Sequence, residues 1–225
     1  PNSAALAAHY GSVSAVTFMA AQAFIKAAQV EAEGFLPALV ALLEIPAIIV
    51  ALLMAARGKG GGSLKDGLHE VLTGKSIVLL AGGLLIGWAA GPEGLEGVKP
   101  VFVTAFKGVL LIFLLEMGTI AARRLGDVKK AGAFLVSFAI LMPILNGAIG
   151  VAVGTWVGLS LGGATVLGTM AASASYIAAP AAVRLAIPEA NPSYYLTTAI
   201  AITFPFNITL GLPLYYGMAR LMQGG

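Results

Sequence analysis

The chain has 225 residues, of which 59% are hydrophobic and only 10% are charged, with a formal net charge of +3. This composition and the mean hydropathy of +0.93 leave too little polar surface for a water-soluble domain, so the sequence indicates an integral membrane protein in a lipid bilayer. The lack of cysteine excludes disulfides and thiolate metal sites, and no nucleic-acid partner is expected because short membrane loops explain the basic residues.

Seven apolar segments are candidates for crossing a bilayer, which takes about 20 residues. They cover residues 4–30, 34–56, 76–91, 101–122, 131–158, 162–186 and 194–222. The third segment is short and rich in glycine, which favours close packing against a neighbouring helix. The charged stretches that follow it, around Glu93 and around Arg123, are interpreted as loops. The sequence therefore predicts an all-α membrane protein.

The largest polar stretch, residues 58–74, is rich in glycine and predicts a flexible linker. Basic residues are concentrated in this stretch and again near Arg123 and Lys129, which indicates that both face the cytoplasm. The linker separates residues 1–57, which form the end of an N-terminal repeat, from residues 75–225, which form a C-terminal repeat of five helices.

Small and hydroxylated residues interrupt two of the apolar segments, one in each half of the chain. The first break begins at Gly11 and runs to Thr17, and the second runs from Ser173 to Pro180. Transporters build binding sites from such discontinuous helices, because the backbone N–H and C=O groups freed at the break become ligands. The half-helix N-termini suit a small oxyanion. The candidate substrate-binding residues are Gly11, Ser12, Val13, Ser14, Ser173, Ala174, Ser175 and Tyr176.

The residues that follow the two breaks are similar in order and spacing. Pro46 follows the first break and Pro205 the second, and the segments end in Met-Ala-Ala-Arg at Arg57 and Met-Ala-Arg at Arg220. This similarity indicates an internal duplication. Since the second unit has three more segments ahead of its broken helix, about three helices are expected ahead of Pro1 in a longer protein.

Glu44 lies in the middle of an apolar segment. A carboxylate there costs about 2.5 to 3.5 kcal/mol on insertion scales, so it needs a partner, a proton or a water-lined cavity. It is either a functional group or a hydrogen-bonded contact between two helices. The candidate ligands for a co-transported sodium ion are Ser14, Thr17, Glu44, Ser175, Tyr176 and Asn207.

Other polar residues have simpler interpretations. Lys26 and Lys107 are expected to extend toward the lipid headgroups. Four tyrosines are expected to form an interfacial aromatic belt, namely Tyr194, Tyr195, Tyr215 and Tyr216. Asn146, Thr203 and Asn207 are either ion ligands or contacts between helices.

These motifs resemble the sodium-dependent bicarbonate permeases of the cyanobacterial type. The matching stretches are Gly11–Ser14 with Thr17, Glu44–Ala47, Glu116–Gly118, Ser173–Pro180 and the run Arg184–Ser193, which is the most specific. The resemblance implies ten transmembrane helices in two inverted repeats of five, and a homotrimer in the bacterial inner membrane. It also implies sodium-coupled import of bicarbonate and regulation by a PII-like cytoplasmic protein.

The second break departs from the family pattern at one position. The sequence of cyanobacterial members at this break resembles Ser-Ser-Ser-Asp-Ile-Ser-Gly-Pro-Pro. This chain has Tyr176 in place of the aspartate. Either carbonyl and hydroxyl oxygens hold sodium in this protein, or the coupling differs.

The sequence favours a secondary active transporter that imports a small anion, bicarbonate above all, together with sodium. Alternating, elevator-like movement of one helical bundle against the other would carry them. One alternative is a cation/proton exchanger that uses Glu44 as its carrier group, and another is a membrane scaffold without transport. The carboxylates are scattered and no phosphate-binding loop follows a strand, so an enzyme is not expected.

Overall fold

The computed structural model describes residues 1–57, 65, 69 and 73–224. The helices in these ranges are α1 (Asn2–Tyr10), α2 (Ala15–Ala27), α3 (Leu36–Arg57), α4 (Lys75–Lys99), α5 (Phe106–Trp156), α6 (Leu161–Ala172), α7 (Ala178–Ala186) and α8 (Pro192–Met222). Most of the predicted linker 58–74 lies outside the described residues. Its described members Lys65, His69 and Thr73 are helical, and the Thr73 hydroxyl donates to the His69 carbonyl at 2.7 Å.

Within the described ranges, four helical runs are long and apolar enough to cross a membrane: Asn2–Ala27, Ala81–Val128, Gly132–Trp156 and Pro192–Met222. No strand occurs among the described residues. The prediction of an all-α membrane protein with discontinuous helices is therefore confirmed. The first break separates α1 from α2, and the second separates α6 from α7.

The two stretches interpreted as loops around Glu93 and Arg123 are helical, so that interpretation was wrong. Helix α4 continues to Lys99 and leads into a π-helical turn at Pro100–Thr104, while α5 runs through Arg123. Glutamate, lysine and arginine are good helix formers, and Lys99 pairs with Glu96 at 2.9 Å across one turn. The chain changes direction at glycines instead, at Gly91 (φ 62°) and Gly132 (φ 77°).

Two groups of buried side chains hold the broken helices together. The first joins α1, α7 and α8 and includes Tyr10, Val183 and Phe204. The second joins α2, α3 and α6 through residues such as Ile25 and Met170. Each group contains one half of each broken helix, so the packing brings the two breaks to the same level of the molecule.

Helices α5 and α6 approach each other closely through glycine, as small residues allow in membrane proteins. A Cβ atom at Gly150 would lie 2.7 Å from the Cβ of Ala171 and 2.9 Å from the Cα of Gly168. Gly83 in α4 is the matched control, because a Cβ there would meet nothing within 4 Å.

We expect Gly150→Ala to lower the unfolding free energy by about 1 to 3 kcal/mol, because the extra methyl group forces the two helices apart. Gly83→Ala should leave the unfolding free energy unchanged or raise it by up to about 1 kcal/mol, because alanine lowers the conformational entropy of the unfolded chain. Thermal denaturation in detergent measures both variants. Equal denaturation midpoints for the two variants would contradict the close packing.

Candidate functional site

The two breaks cross and are hydrogen bonded to each other. The backbone N–H of Ser175 donates to the carbonyl of His9 at 2.8 Å. The backbone N–H of Ser14 donates to the Ser173 hydroxyl oxygen at 2.9 Å. Segments more than 150 residues apart in sequence are thus joined by two short bonds, and three of the predicted serines lie in one place.

Each break is shaped by serine hydroxyls that replace missing helical bonds. Ser14 is the N-cap of α2, and its Oγ accepts from the N–H of Thr17 at 3.2 Å. Ser175 Oγ accepts from the N–H of Ala179 at 3.3 Å at the start of α7. Ser173 Oγ donates to the Met170 carbonyl at 2.7 Å at the end of α6. A hydroxyl that accepts one bond keeps its own proton and a lone pair for a ligand, as Ser14 and Ser175 do here.

A small cavity of about 20 Å³ lies at the crossing. Its lining residues are Val13, Ser14, Ala15, Glu44, Ser175, Tyr176 and Ile177. A space of this size holds one water molecule or one monatomic ion. The oxygen atoms around it come from α3 and from both breaks.

Glu44 is the acidic group of this cavity. It is only 3% exposed, and it is one of the residues that line the cavity. Its backbone carbonyl accepts from the Ser12 hydroxyl at 2.9 Å, which fixes α3 against the first break. A carboxylate buried inside a membrane protein needs a cation, a proton or a hydrogen-bond partner.

Tyr176 stands where the family resemblance places an acid. Its ring packs against Phe204 with the ring centres 5.5 Å apart. Its hydroxyl is buried near Ser14 and Thr17 and has no hydrogen-bond partner of good geometry among the described residues. Burial of a hydroxyl without a hydrogen-bond partner costs about 1 to 3 kcal/mol of folding free energy. A ligand in the cavity would supply that partner.

The remaining predicted residues do not line the cavity. Thr17 is buried one turn into α2, Gly11 is exposed, and Ala174 is buried in the first hydrophobic group. Ser12 binds the backbone of Glu44, as described above. These four residues shape the breaks around the cavity.

Asn207 holds the end of α6 rather than facing the cavity. Its Nδ2 donates to the Ala172 carbonyl at 2.9 Å, and its Oδ1 accepts from the Tyr215 hydroxyl at 2.9 Å. Asn207 begins a π-helical turn of α8, Asn207–Gly211, a distortion that is frequent at functional sites. The amide therefore secures the carbonyl end of the half-helix that precedes the second break.

The prediction of an aromatic belt was wrong for Tyr195 and Tyr215, which are 1% and 0% exposed. Tyr195 packs on the ring of His9 with the ring centres 4.5 Å apart. His9 was not predicted as a site residue, although its carbonyl receives the N–H of Ser175. Its position at the last turn before Gly11 was the only signal in the sequence.

Helix α1 is also fixed to α5 and α8 next to the first break. The Tyr10 hydroxyl and Thr203 Oγ1 are 2.7 Å apart, and Thr203 Oγ1 donates to the Ala139 carbonyl at 2.6 Å. Thr203 thus makes the kind of contact between helices that was one of its two sequence interpretations.

The comparisons with known proteins give one family. No curated protein matches the chain. A family model does match, and it covers residues 1–220, which include both breaks and Glu44. The chain belongs to the Na+-dependent bicarbonate transporter superfamily.

Proposed function

We propose that this protein is a secondary active transporter that imports bicarbonate together with sodium, and that the sodium ion binds in the cavity where the two breaks cross. The observation that carries the proposal is Glu44, a buried acidic residue that lines this cavity. Family membership supports the use of sodium and bicarbonate.

The oxygen atoms around the cavity suit a hard cation. Hydroxyls of Ser14, Ser175 and Tyr176 and the carboxylate of Glu44 are all oxygen donors, which small alkali and alkaline-earth cations prefer. We propose that Glu44 on α3 supplies the negative charge that relatives carry on the second break. Tyr176 then contributes a neutral oxygen instead of a carboxylate.

The N-terminal turns of α2 and α7 would bind the anion. Each helix begins at a break and presents the positive end of its dipole there, although the hydroxyls of Ser14 and Ser175 already accept from the N–H groups of Thr17 and Ala179. A cavity of about 20 Å³ is too small to hold bicarbonate in addition to sodium. The crossing therefore has to open for the substrate. Alternating, elevator-like movement of one helical bundle against the other is the opening we propose.

Coupling to sodium has a clear energetic benefit. A univalent anion that enters a cell against an inside-negative potential faces about 2.3 kcal/mol per 100 mV, and a sodium ion bound with it cancels that term. A tenfold sodium gradient adds about 1.4 kcal/mol of driving force. Symport of one sodium with one bicarbonate therefore moves little net charge.

The family resemblance supports three further parts of the proposal. They are a homotrimer, a location in the bacterial inner membrane and a PII-like regulator that binds from the cytoplasm. Each follows from the similarity of this chain's motifs to those of the family rather than from a contact in this chain.

Uptake of radiolabelled bicarbonate into vesicles that contain the full-length protein tests the function. We expect uptake to fall at least about tenfold when potassium replaces sodium outside, because the cation site and the driving force are both lost. Empty vesicles are the control. Equal uptake in sodium and in potassium would contradict the symport.

A cation/proton exchanger is the second candidate, because the buried carboxylate of Glu44 can also carry a proton. Exchange predicts sodium flux that follows an imposed pH gradient and does not respond to bicarbonate. Symport predicts bicarbonate-dependent sodium flux. A scaffold without transport would leave the crossing dry, so a cysteine at Ser175 in this cysteine-free chain would not react with water-soluble thiol reagents.

A further inference from the structure

Asn207 and Tyr215 form a buried hydrogen-bonded pair in α8, outside the cavity at the crossing. Both residues are 0% exposed, and neither lines that cavity. Asn207 Nδ2 donates to the Ala172 carbonyl, and a carbonyl can only accept, so the amide oxygen Oδ1 faces the other way. The Tyr215 hydroxyl donates to this Oδ1 at 2.9 Å. The tyrosine therefore fixes the orientation of the amide.

The π-helical turn Asn207–Gly211 brings the two side chains onto one face of α8. In a regular α-helix, residues eight positions apart, as these two are, point in directions about 80° apart. A π-helical turn adds one residue to the helix, so Tyr215 takes the direction of a residue seven positions on, about 20° from Asn207. Long side chains in helices also lean toward the N-terminus, which lets the tyrosine hydroxyl reach back to the amide.

Two glycines leave room for the two edges of the Tyr215 ring. A Cβ atom at Gly211 would lie 2.8 Å from Asn207 Oδ1 and 3.0 Å from Tyr215 Cε2. A Cβ atom at Gly147, on α5, would lie 2.8 Å from Cζ of the same ring and closer still to its Cε1. A methyl group at either glycine would push the ring away. The packing of α5 and α8 thus holds the hydroxyl at the amide.

The amide of Asn207 acts at the point where the second break begins. Ala172 is the last residue of α6, and carbonyl groups in the last turn of a helix lack a partner within the helix. The next residue, Ser173, accepts from the N–H of Ser14, and the N–H of Ser175 donates to a carbonyl of α1. A shift of Ala172 would therefore move both of the groups that join the two breaks.

We propose that Tyr215 is a positioning residue for transport. By orienting the Asn207 amide it holds the end of α6, and so it keeps the serines of the second break in place around the cavity. The consequence for sodium rests on the proposed function, in which this cavity is the cation site. Because Tyr215 does not line the cavity, loss of its hydroxyl should weaken sodium binding without removing a ligand.

Hydrogen–deuterium exchange of the full-length protein tests the position of the break. Tyr215→Phe removes the hydroxyl and keeps the ring that fits beside the glycines. We expect the peptide that contains Ser175 to exchange about fivefold faster in Tyr215→Phe than in the wild-type protein, as the loss of one hydrogen bond would give. The matched control is Tyr216→Phe, because Tyr216 is half-buried and packs on Phe24 with the ring centres 5.8 Å apart. It should exchange as the wild-type protein does.

Bicarbonate uptake over a sodium series tests the consequence for transport. We expect Tyr215→Phe to raise the sodium concentration for half-maximal uptake by about fivefold, while the maximal rate changes much less. A role in folding alone would instead lower the amount of active protein and with it the maximal rate. Addition of Tyr215→Phe to Asn207→Ala should produce no further change, because the tyrosine acts through the amide.

Equal exchange at the break in Tyr215→Phe and Tyr216→Phe would overturn the proposal. Faster exchange with an unchanged sodium dependence would also overturn it, since the pair would then stabilise the fold alone. If uptake by the wild-type protein does not depend on sodium, the proposed function fails, and the exchange result decides whether Tyr215 positions the break. If Asn207→Ala does not fold, the comparison of the two tyrosine variants decides by itself.

Discussion

Glu44→Gln is expected to raise the sodium concentration for half-maximal bicarbonate uptake by about a hundredfold or more. A unit charge about 4 Å from a cation contributes about 4 kcal/mol at an effective dielectric constant of 20, and part of this is offset by desolvation. Glutamine keeps the size and the oxygen but removes the charge. The maximal rate at saturating sodium should change less than the sodium affinity.

The matched control is Glu93→Gln, which removes an exposed carboxylate outside the cavity and should leave the sodium dependence unchanged. Initial rates over a sodium series measure both variants. Unchanged sodium dependence in Glu44→Gln would show that this carboxylate serves as a contact between helices.

Ser173→Ala is expected to lower the unfolding free energy by about 1 to 3 kcal/mol and to reduce uptake. The Ser173 hydroxyl is the acceptor for the buried N–H of Ser14 and the donor to the Met170 carbonyl. Alanine leaves the N–H of Ser14 without a partner, and a buried unsatisfied donor carries most of that cost. The two breaks would also lose one of the two bonds that join them.

Ser193→Ala is the control, because Ser193 is partly exposed and does not line the cavity at the crossing. Denaturation in detergent and uptake in vesicles measure both variants. A Ser173→Ala protein as stable and as active as Ser193→Ala would mean that the crossing does not depend on this hydroxyl.

The sequence predicted the breaks because their signals are local. Gly11, Ser14 and Pro180 interrupt apolar segments in ways that depend on backbone geometry and on hydroxyl groups a few residues away. Glu44 was predicted as a possible functional group for a similar reason, since a single acid in an apolar segment needs an explanation.

The contacts between distant segments could not be predicted in the same way. The amide of Asn207 donates to the backbone carbonyl of Ala172, which is 35 residues away in the sequence. No residue near Asn207 in the sequence indicates that partner. His9 contributes its backbone carbonyl, which every residue has. The helical stretch around Glu93 was interpreted as a loop because its charges were given more weight than its helix propensity.

Direct binding of radioactive ²²Na⁺ to the purified full-length protein tests the cation site most directly. We predict one saturable site per chain in the wild-type protein, and loss of that site in Glu44→Gln but not in Glu93→Gln. Saturable binding that is the same in all three proteins would contradict a sodium site between the two breaks.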